Sequence, residues 1–239
     1  MDDNKMQLWA HRGGAHIGVE NSLKAVSESL KVGVDGIHIN VQRIRDDSLI
    51  LFADETLDEK TNSKGWVKYL PLTESAGIRL QESPLYMLDT FIPWYLRLTS
   101  QMFPRPVLNI EIPNVESMLT FIEFISPLLD SGNIKPSELI VSSEDWSSLR
   151  ALYSAIPQLP LAGIFSGEPL FFPGYVRDIP IRECHIKGRF VNPHFVREAV
   201  SINVTVRIMG VNNPEHVMLY KKMGATGIIT DAPDLLKNH

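Results

Sequence analysis

Short apolar runs alternate with amphipathic stretches along almost the whole 239-residue chain. A brief aliphatic or β-branched run bounded by turn residues reads as a buried strand. Eight runs fit: Leu8–Ala10, Gly36–Val41, Val107–Ile112, Leu139–Val141, Leu161–Ile164, Cys184–Ile186, Val204–Val206 and Gly227–Thr230. Helix signals lie between them. Asn21-Ser22 caps a stripe of Leu23, Val26 and Leu30 that Gly33 ends. Asn192-Pro193 and Asn213-Pro214 each set a cap before a proline at the first helical position, and Gly224 stops the second of these helices. Met118, Phe121, Ile122 and Ile125 mark another stripe, and Leu149, Leu152 and Tyr153 one more.

Eight strands alternating with helices over roughly 250 residues is the arithmetic of a (β/α)8 TIM barrel, an α/β fold; a doubly wound open sheet is the alternative. One further run, Leu49–Phe52, follows Val41 too closely for a helical crossover, and Asp46-Asp47-Ser48 supplies a turn. A hairpin therefore follows the second strand. Residues 54–106 lack a clear barrel strand and carry Pro84, Pro93, Pro104 and Pro106. They read as an inserted lobe over the barrel mouth, with a helix near Leu85–Ile92 that Pro93 interrupts. The chain 1–239 is then a single domain with one inserted lobe at about 54–106.

Composition narrows the function. Hydrophobic residues at 44% and charged residues at 21% fit a globular chain that can fill a core. Net charge is −5, with pI near 5.8, which gives no footprint for nucleic acid. The single cysteine, Cys184, excludes an internal disulfide framework. Met1–Lys5 and the residues after them show no leader pattern, and no run is long enough to cross a membrane. The expected address is cytoplasmic.

Several polar residues fall where barrel enzymes keep their sites. His11-Arg12-Gly13-Gly14 follows the first strand directly. The pair could serve as acid/base and phosphate ligand, or could satisfy backbone groups at a strand end. Glu20-Asn21 precedes a helix, and capping alone accounts for it. His38 and Asn40 share one strand face by period two, opposite Ile37, Ile39 and Val41, so they point inward. They either bond their neighbours or ligate a metal or substrate. Glu111, between Ile110 and Ile112, is costly inside a barrel unless paired, and is the strongest functional candidate from physics alone. Asp231 reads as the cap of a final turn.

Taken in order, these segments resemble the glycerophosphodiester phosphodiesterase family. The family's His-Arg-Gly and Pro-Glu-Asn-Thr appear as His11-Arg12-Gly13 and Val19-Glu20-Asn21-Ser22. Its Gly-Ala-Asp-x-Ile-Glu-x-Asp-Val appears as Gly33-Val34-Asp35-Gly36-Ile37-His38-Ile39-Asn40-Val41, its His-Asp pair as Ala53-Asp54, and its Glu-Ile-Lys as Glu111-Ile112-Pro113. The closing Gly-Ile-Ile-Thr-Asp-x-Pro is intact from Gly227 to Pro233. The resemblance implies a TIM barrel and a Mg2+ or Ca2+ site at Glu111, His38 and Asn40, degenerate here because two of three carboxylates are replaced. It implies His11 and Arg12 as catalytic residues, with Arg12, Glu20 and Asn21 binding substrate. The second catalytic histidine maps to Ala53, the phosphate-facing lysine to Pro113, and a tryptophan to Met209.

Losing one positioned acid or base typically costs about 10²–10⁴ in rate. Two missing carboxylates forfeit roughly several kcal/mol of attraction for a cation at an effective dielectric near 20. Three readings follow. One is a phosphoric diester hydrolase with impaired activity, in which His16, Asp54 or Glu55 replaces a lost group. Another is a non-catalytic protein that binds a phosphorylated or polyol ligand, or a partner protein, at the mouth; the expected small-molecule partner is a glycerophosphodiester or a phosphorylated polyol. The third is a transition-metal site, with Fe, Zn or Mn held by His11, His38 and Glu111. The sequence does not fix the oligomeric state.

Overall fold

The computed structural model describes residues 6–168 and 172–237, so Met1–Lys5, read above for a leader, lie outside the described part. In chain order the strands are β1 Gln7–Ala10, β2 Gly36–Arg43, β3 Leu49–Leu51, β4 Arg79–Leu80, β5 Ser83–Pro84, β6 Val107–Glu111, β7 Leu139–Ser143, β8 Leu161–Phe165, β9 Glu183–Lys187, β10 Thr205–Met209 and β11 Gly227–Thr230. The helices are α1 Leu23–Val32, α2 Leu72–Ser75, α3 Leu88–Leu98, α4 Val115–Asp130, α5 Trp146–Ala155, α6 Phe172–Asp178, α7 Pro193–Ser201, α8 Pro214–Met223 and α9 Pro233–Leu236.

The eight predicted apolar runs become the eight parallel strands of a closed barrel, ordered β1-β11-β10-β9-β8-β7-β6-β2. β2 returns to β1 through Trp9↔Gly36 and Ala10↔Ile37, which completes the ring. Gly36 is required there, because a Cβ would stand 2.6 Å from the Trp9 indole. Period two then splits each strand. Ile37, Ile39 and Val41 join the large core between strands and helices. Trp9, Ile140, Ala162, Ile164, Met209 and Ile229 form a separate cluster inside the barrel. β3 pairs antiparallel with the end of β2, as the hairpin reading expects.

The helix signals hold with one shift. Ser22, not Asn21, caps α1, its Oγ accepting from Ala25 N–H at 3.1 Å, and Gly33 ends the helix in the left-handed region. Asn192 and Asn213 cap α7 and α8. Such a cap contributes about 1 kcal/mol.

Pro93 does not interrupt its helix, because α3 runs through it to Leu98. The missing N–H forfeits a bond to the carbonyl of Asp89, an exposed residue, and an interior proline costs about 3 kcal/mol. Phe91, Ile92 and Tyr95 are buried on the other face, at roughly 1.5–3 kcal/mol each, and outweigh that cost. Tyr95 also donates its hydroxyl to Pro106 O at 2.7 Å. These residues belong to the main core. Of the stretch 54–106, then, the later part is a barrel helix. The earlier part packs its own small core, with Leu57, Val67, Leu70, Ile78 and Leu80 against Ile44, Ile50 and Phe52 of the hairpin.

Near the N-terminal ends of the strands Arg207 pairs with Glu183 and Gln7, and its guanidinium lies 4.0 Å from the Trp9 ring centre. All but Gln7 are nearly inaccessible, so this end of the cylinder is floored by a buried ion pair.

Candidate functional site

The turn after β1 is built for close approach. Arg12, Gly13 and Gly14 all have positive φ, at 51°, 80° and 103°. A Cβ on Gly14 would stand 2.3 Å from Ser29 Oγ of α1, and one on Gly13 would stand 2.8 Å from the Val26 side chain. Ser29 donates to Gly13 O at 2.7 Å and locks the turn to the helix. Two glycines therefore permit a conformation that costs a residue with a Cβ roughly 1–2 kcal/mol, and Arg12 is held in it.

That turn aims His11 and Arg12 into a cavity of about 700 Å3 at the C-terminal ends of the strands, shared with Asn40, Glu111, Lys187 and Arg189. His11 Nδ1 is 2.7 Å from Asp231 Oδ1. Burial raises the Asp231 carboxyl, but the His11 contact and the Asn212 amide outweigh it and hold it down to about 2. The contact leaves His11 Nε2 as the ring nitrogen not committed to Asp231. Asp231, read from sequence as a cap, thus orients the histidine.

Arg12 donates from Nη1 to Glu20 Oε2 at 2.8 Å, and Lys60 donates to Glu20 Oε1 at 2.8 Å and to Asp54 Oδ1 at 3.2 Å. Burial disfavours the Glu20 charge, but Lys60 and Arg12 overcome that and lower its pKa. Glu20 is therefore more than a helix-dipole residue. Asn21, in the left-handed region at φ 55°, accepts from Asn40 N–H at 3.0 Å. It ties the β1–α1 loop to β2.

His38 and Asn40 point inward as expected, and both are buried. His38 Nδ1 faces the Arg12 N–H at a long 3.5 Å, and Nε2 is 2.9 Å from Glu111 Oε2. That arrangement puts the ring proton on Nε2. Burial lowers the His38 pKa to about 4, so the imidazole is neutral at pH 7 and donates to Glu111. Burial pushes Glu111 up, yet the His38 hydrogen bond more than compensates and keeps its carboxyl below the usual range. A hard divalent cation needs several oxygen ligands, preferably charged. Here Glu111, the one acidic member of the trio, already accepts a hydrogen bond from His38, and His38 and Asn40 bring no charged oxygen. The residues present do not fit Mg2+ or Ca2+.

The transition-metal arrangement fails on the same contact. The His11 and His38 ring centres are 5.0 Å apart, but both His38 nitrogens face protein groups. Among the described residues, no three His, Cys, Asp or Glu side chains are grouped to hold a metal ion. Of the replacement candidates, Asp54 belongs to the Arg12–Glu20–Lys60 network beside the cavity, and the other two are directed away from it. His16 is 3.6 Å from Asp234 of α9, Asp54 is bound to Lys60, and Glu55 lines a neighbouring cavity of about 450 Å3 with Gln42 and Trp66. Ala53 presents its carbonyl to Gln42 Nε2 at 3.2 Å. Met209 lines the main cavity.

Sequence reading missed Asp231, Lys60, Lys187 and Arg189. Lys187 left a trace: Glu183, His185 and Lys187 alternate with Cys184 and Ile186, so period two places all three on the inner face of β9. Arg189 and Lys60 sit on turns, where no periodicity marks them.

The chain matches the model of the glycerophosphoryl diester phosphodiesterase family over residues 11–235. It is 28% identical over 236 residues to a glycerophosphodiester phosphodiesterase of Bacillus altitudinis, covering 95% of each chain. It is 28% identical over 248 residues to one of Caldanaerobacter subterraneus subsp. tengcongensis, covering 98% of this chain and 97% of the other. Among solved structures it resembles an Oleispira antarctica phosphodiesterase in complex with the product sn-glycerol-3-phosphate, with TM-score 0.84 and 18% identity over 97% of this chain and 95% of that one. Among the described residues, no helix is long and apolar enough to cross a membrane.

Proposed function

This chain belongs to the glycerophosphoryl diester phosphodiesterase family, and from that membership we propose that it is a member whose barrel mouth binds a glycerophosphodiester or phosphorylated polyol without the family's usual metal-dependent hydrolysis. One observation carries the reading: the 2.9 Å contact between His38 Nε2 and Glu111 Oε2. It satisfies Glu111 from within the protein, where the resemblance implies a cation. Lost acid/base capacity at Ala53 and a lost lysine at Pro113 push the same way.

What remains suits binding. Arg12 is pinned by Glu20 and presents its guanidinium to the cavity. Asn21 holds β2 against the loop that carries Arg12. Glu20, fixed by two cations, keeps Arg12 in place rather than reacting.

The test pairs turnover with binding. Glycerophosphodiesters and an aryl phosphodiester are assayed with Mg2+, Ca2+ and Mn2+, and sn-glycerol 3-phosphate is titrated by calorimetry. The expected result is binding that Arg12→Gln weakens, with turnover absent until His38→Glu, Asn40→Asp and Ala53→His are combined. Metal-stimulated turnover by the unaltered chain would refute the reading.

A second reading rests on the His11–Asp231 pair. An oriented histidine beside an arginine could support slow, metal-independent cleavage of an activated diester. Its signature is turnover that chelator leaves unchanged and His11→Ala abolishes.

A further inference from the structure

The cavity has two chemically different walls. On the β2–β6 wall stand oxygen acceptors. Asn40 Oδ1 is buried there without a hydrogen-bond partner, and Glu111 has one oxygen bound to His38 and the other free among the described residues. A buried acceptor left unmet costs about 1–3 kcal/mol, so such an atom points to a missing donor. Facing them on the β9 side stand two cations, Lys187 at the end of the strand and Arg189 in the turn that follows. Lys187 Nζ is 3.7 Å from Glu144 Oε1, too far for a hydrogen bond, and both side chains are about half exposed. Arg189 lies 4.6 Å from the Phe190 ring centre and forms no ion pair among the described residues. Arg12, by contrast, already spends its Nη1 on Glu20.

We infer that the ligand is a phosphomonoester of a small polyol, bound with its phosphate on Lys187 and Arg189 and its hydroxyls on Asn40 and Glu111. This deepens the reading of the mouth as a ligand site and rests on it. The polarity of the walls sets the orientation. The Glu111 carboxylate repels a phosphate and, like the Asn40 Oδ1, accepts from hydroxyls, whereas ammonium and guanidinium groups attract a phosphate and donate to it. Lys187, held only in a loose, half-exposed ion pair with Glu144, and Arg189, which has no ion pair among the described residues, together match a monoester, which carries close to two negative charges at pH 7, better than a diester, which carries one. Gly188 makes room for this turn, since a Cβ there would meet the Tyr220 hydroxyl at 2.6 Å.

Calorimetry on the full chain separates the possibilities, with sn-glycerol 3-phosphate, inorganic phosphate and glycerophosphocholine as probes. The double variant Lys187→Gln, Arg189→Gln changes exposed or half-exposed side chains, so its fold is expected to survive, and thermal melting checks this. It should weaken sn-glycerol 3-phosphate about tenfold or more, the loss of charge-assisted hydrogen bonds. Asn40→Leu should weaken sn-glycerol 3-phosphate but leave inorganic phosphate unchanged. The monoester should bind more tightly than glycerophosphocholine. Unchanged monoester affinity in the double variant, with loss in Arg12→Gln, would place the phosphate on the β1 side and overturn this inference while sparing the mouth as a binding site. Tighter binding of glycerophosphocholine would overturn the monoester assignment. No binding of any probe by the unaltered chain would sink both readings.

Discussion

His11 and Asp231 lie 220 residues apart in the chain, yet Nδ1 of one is 2.7 Å from Oδ1 of the other. The contact joins the first and last turns of the barrel above the β1–β11 seam. It also fixes which histidine nitrogen is left to face the cavity.

The Asp231 carboxyl, at about 2 in the fold against roughly 3.9 in an unfolded chain, sets a pH signature. A depressed folded pKa adds stability that is complete above the unfolded value and disappears as pH falls towards the folded one. The stability gap between the unaltered chain and Asp231→Asn should therefore be open at pH ~5 and close between about pH 4 and pH 2. Urea unfolding at a series of pH values measures it. A gap that widens on acidification would contradict the assignment.

His38→Leu removes the donor that satisfies Glu111 and should destabilise the protein by about 1–3 kcal/mol. Adding Glu111→Leu should recover part of that loss, because it removes the stranded carboxylate. Chemical denaturation of both single variants and the double variant gives the coupling. Additive losses would mean that the two side chains do not interact.

Gly36→Ala places a methyl 2.6 Å from the Trp9 ring, where β2 closes on β1. The expected cost is about 1–3 kcal/mol, as for other overpacked cores. Differential scanning calorimetry should show a lower Tm, and Trp9→Leu in the same background should return part of it. A Tm equal to that of the unaltered chain would show that the seam yields freely.

Arg207→Met leaves Glu183 buried without its strongest partner, and a loss of about 3–5 kcal/mol follows from breaking one side of a buried pair. The double change Arg207→Met, Glu183→Gln should be markedly milder. Equal losses in the two variants, measured by urea unfolding, would argue against an ionic floor.

Strand positions were legible because burial on the outer face forces aliphatic residues into the sequence, and Ile37, Ile39 and Val41 display that constraint directly. His38, Asn40 and Glu111 were legible for the complementary reason: polar residues on the inner face stand out against it. Pairings across the barrel were not. Nothing local in Thr-Asp-Ala-Pro marks Asp231 as the partner of His11, since the same tetrapeptide is a sound helix start. Lys60 reaches Glu20 only because the segment from Leu57 to Leu80 folds on Phe52 and brings it to the rim. The path of α3 through Pro93 depended on burial of Phe91 and Tyr95, which outweighs a local propensity.

The Arg207–Glu183 floor has a consequence for exchange. Among the described residues, Trp9 and that pair stopper one end, so a molecule bound in the cavity would enter and leave at the C-terminal ends of the strands. Bulk added at the buried end of such a guest would trap it or bar its entry. In the orientation inferred above, the polyol end is the confined one, so enlarging the polyol should weaken binding.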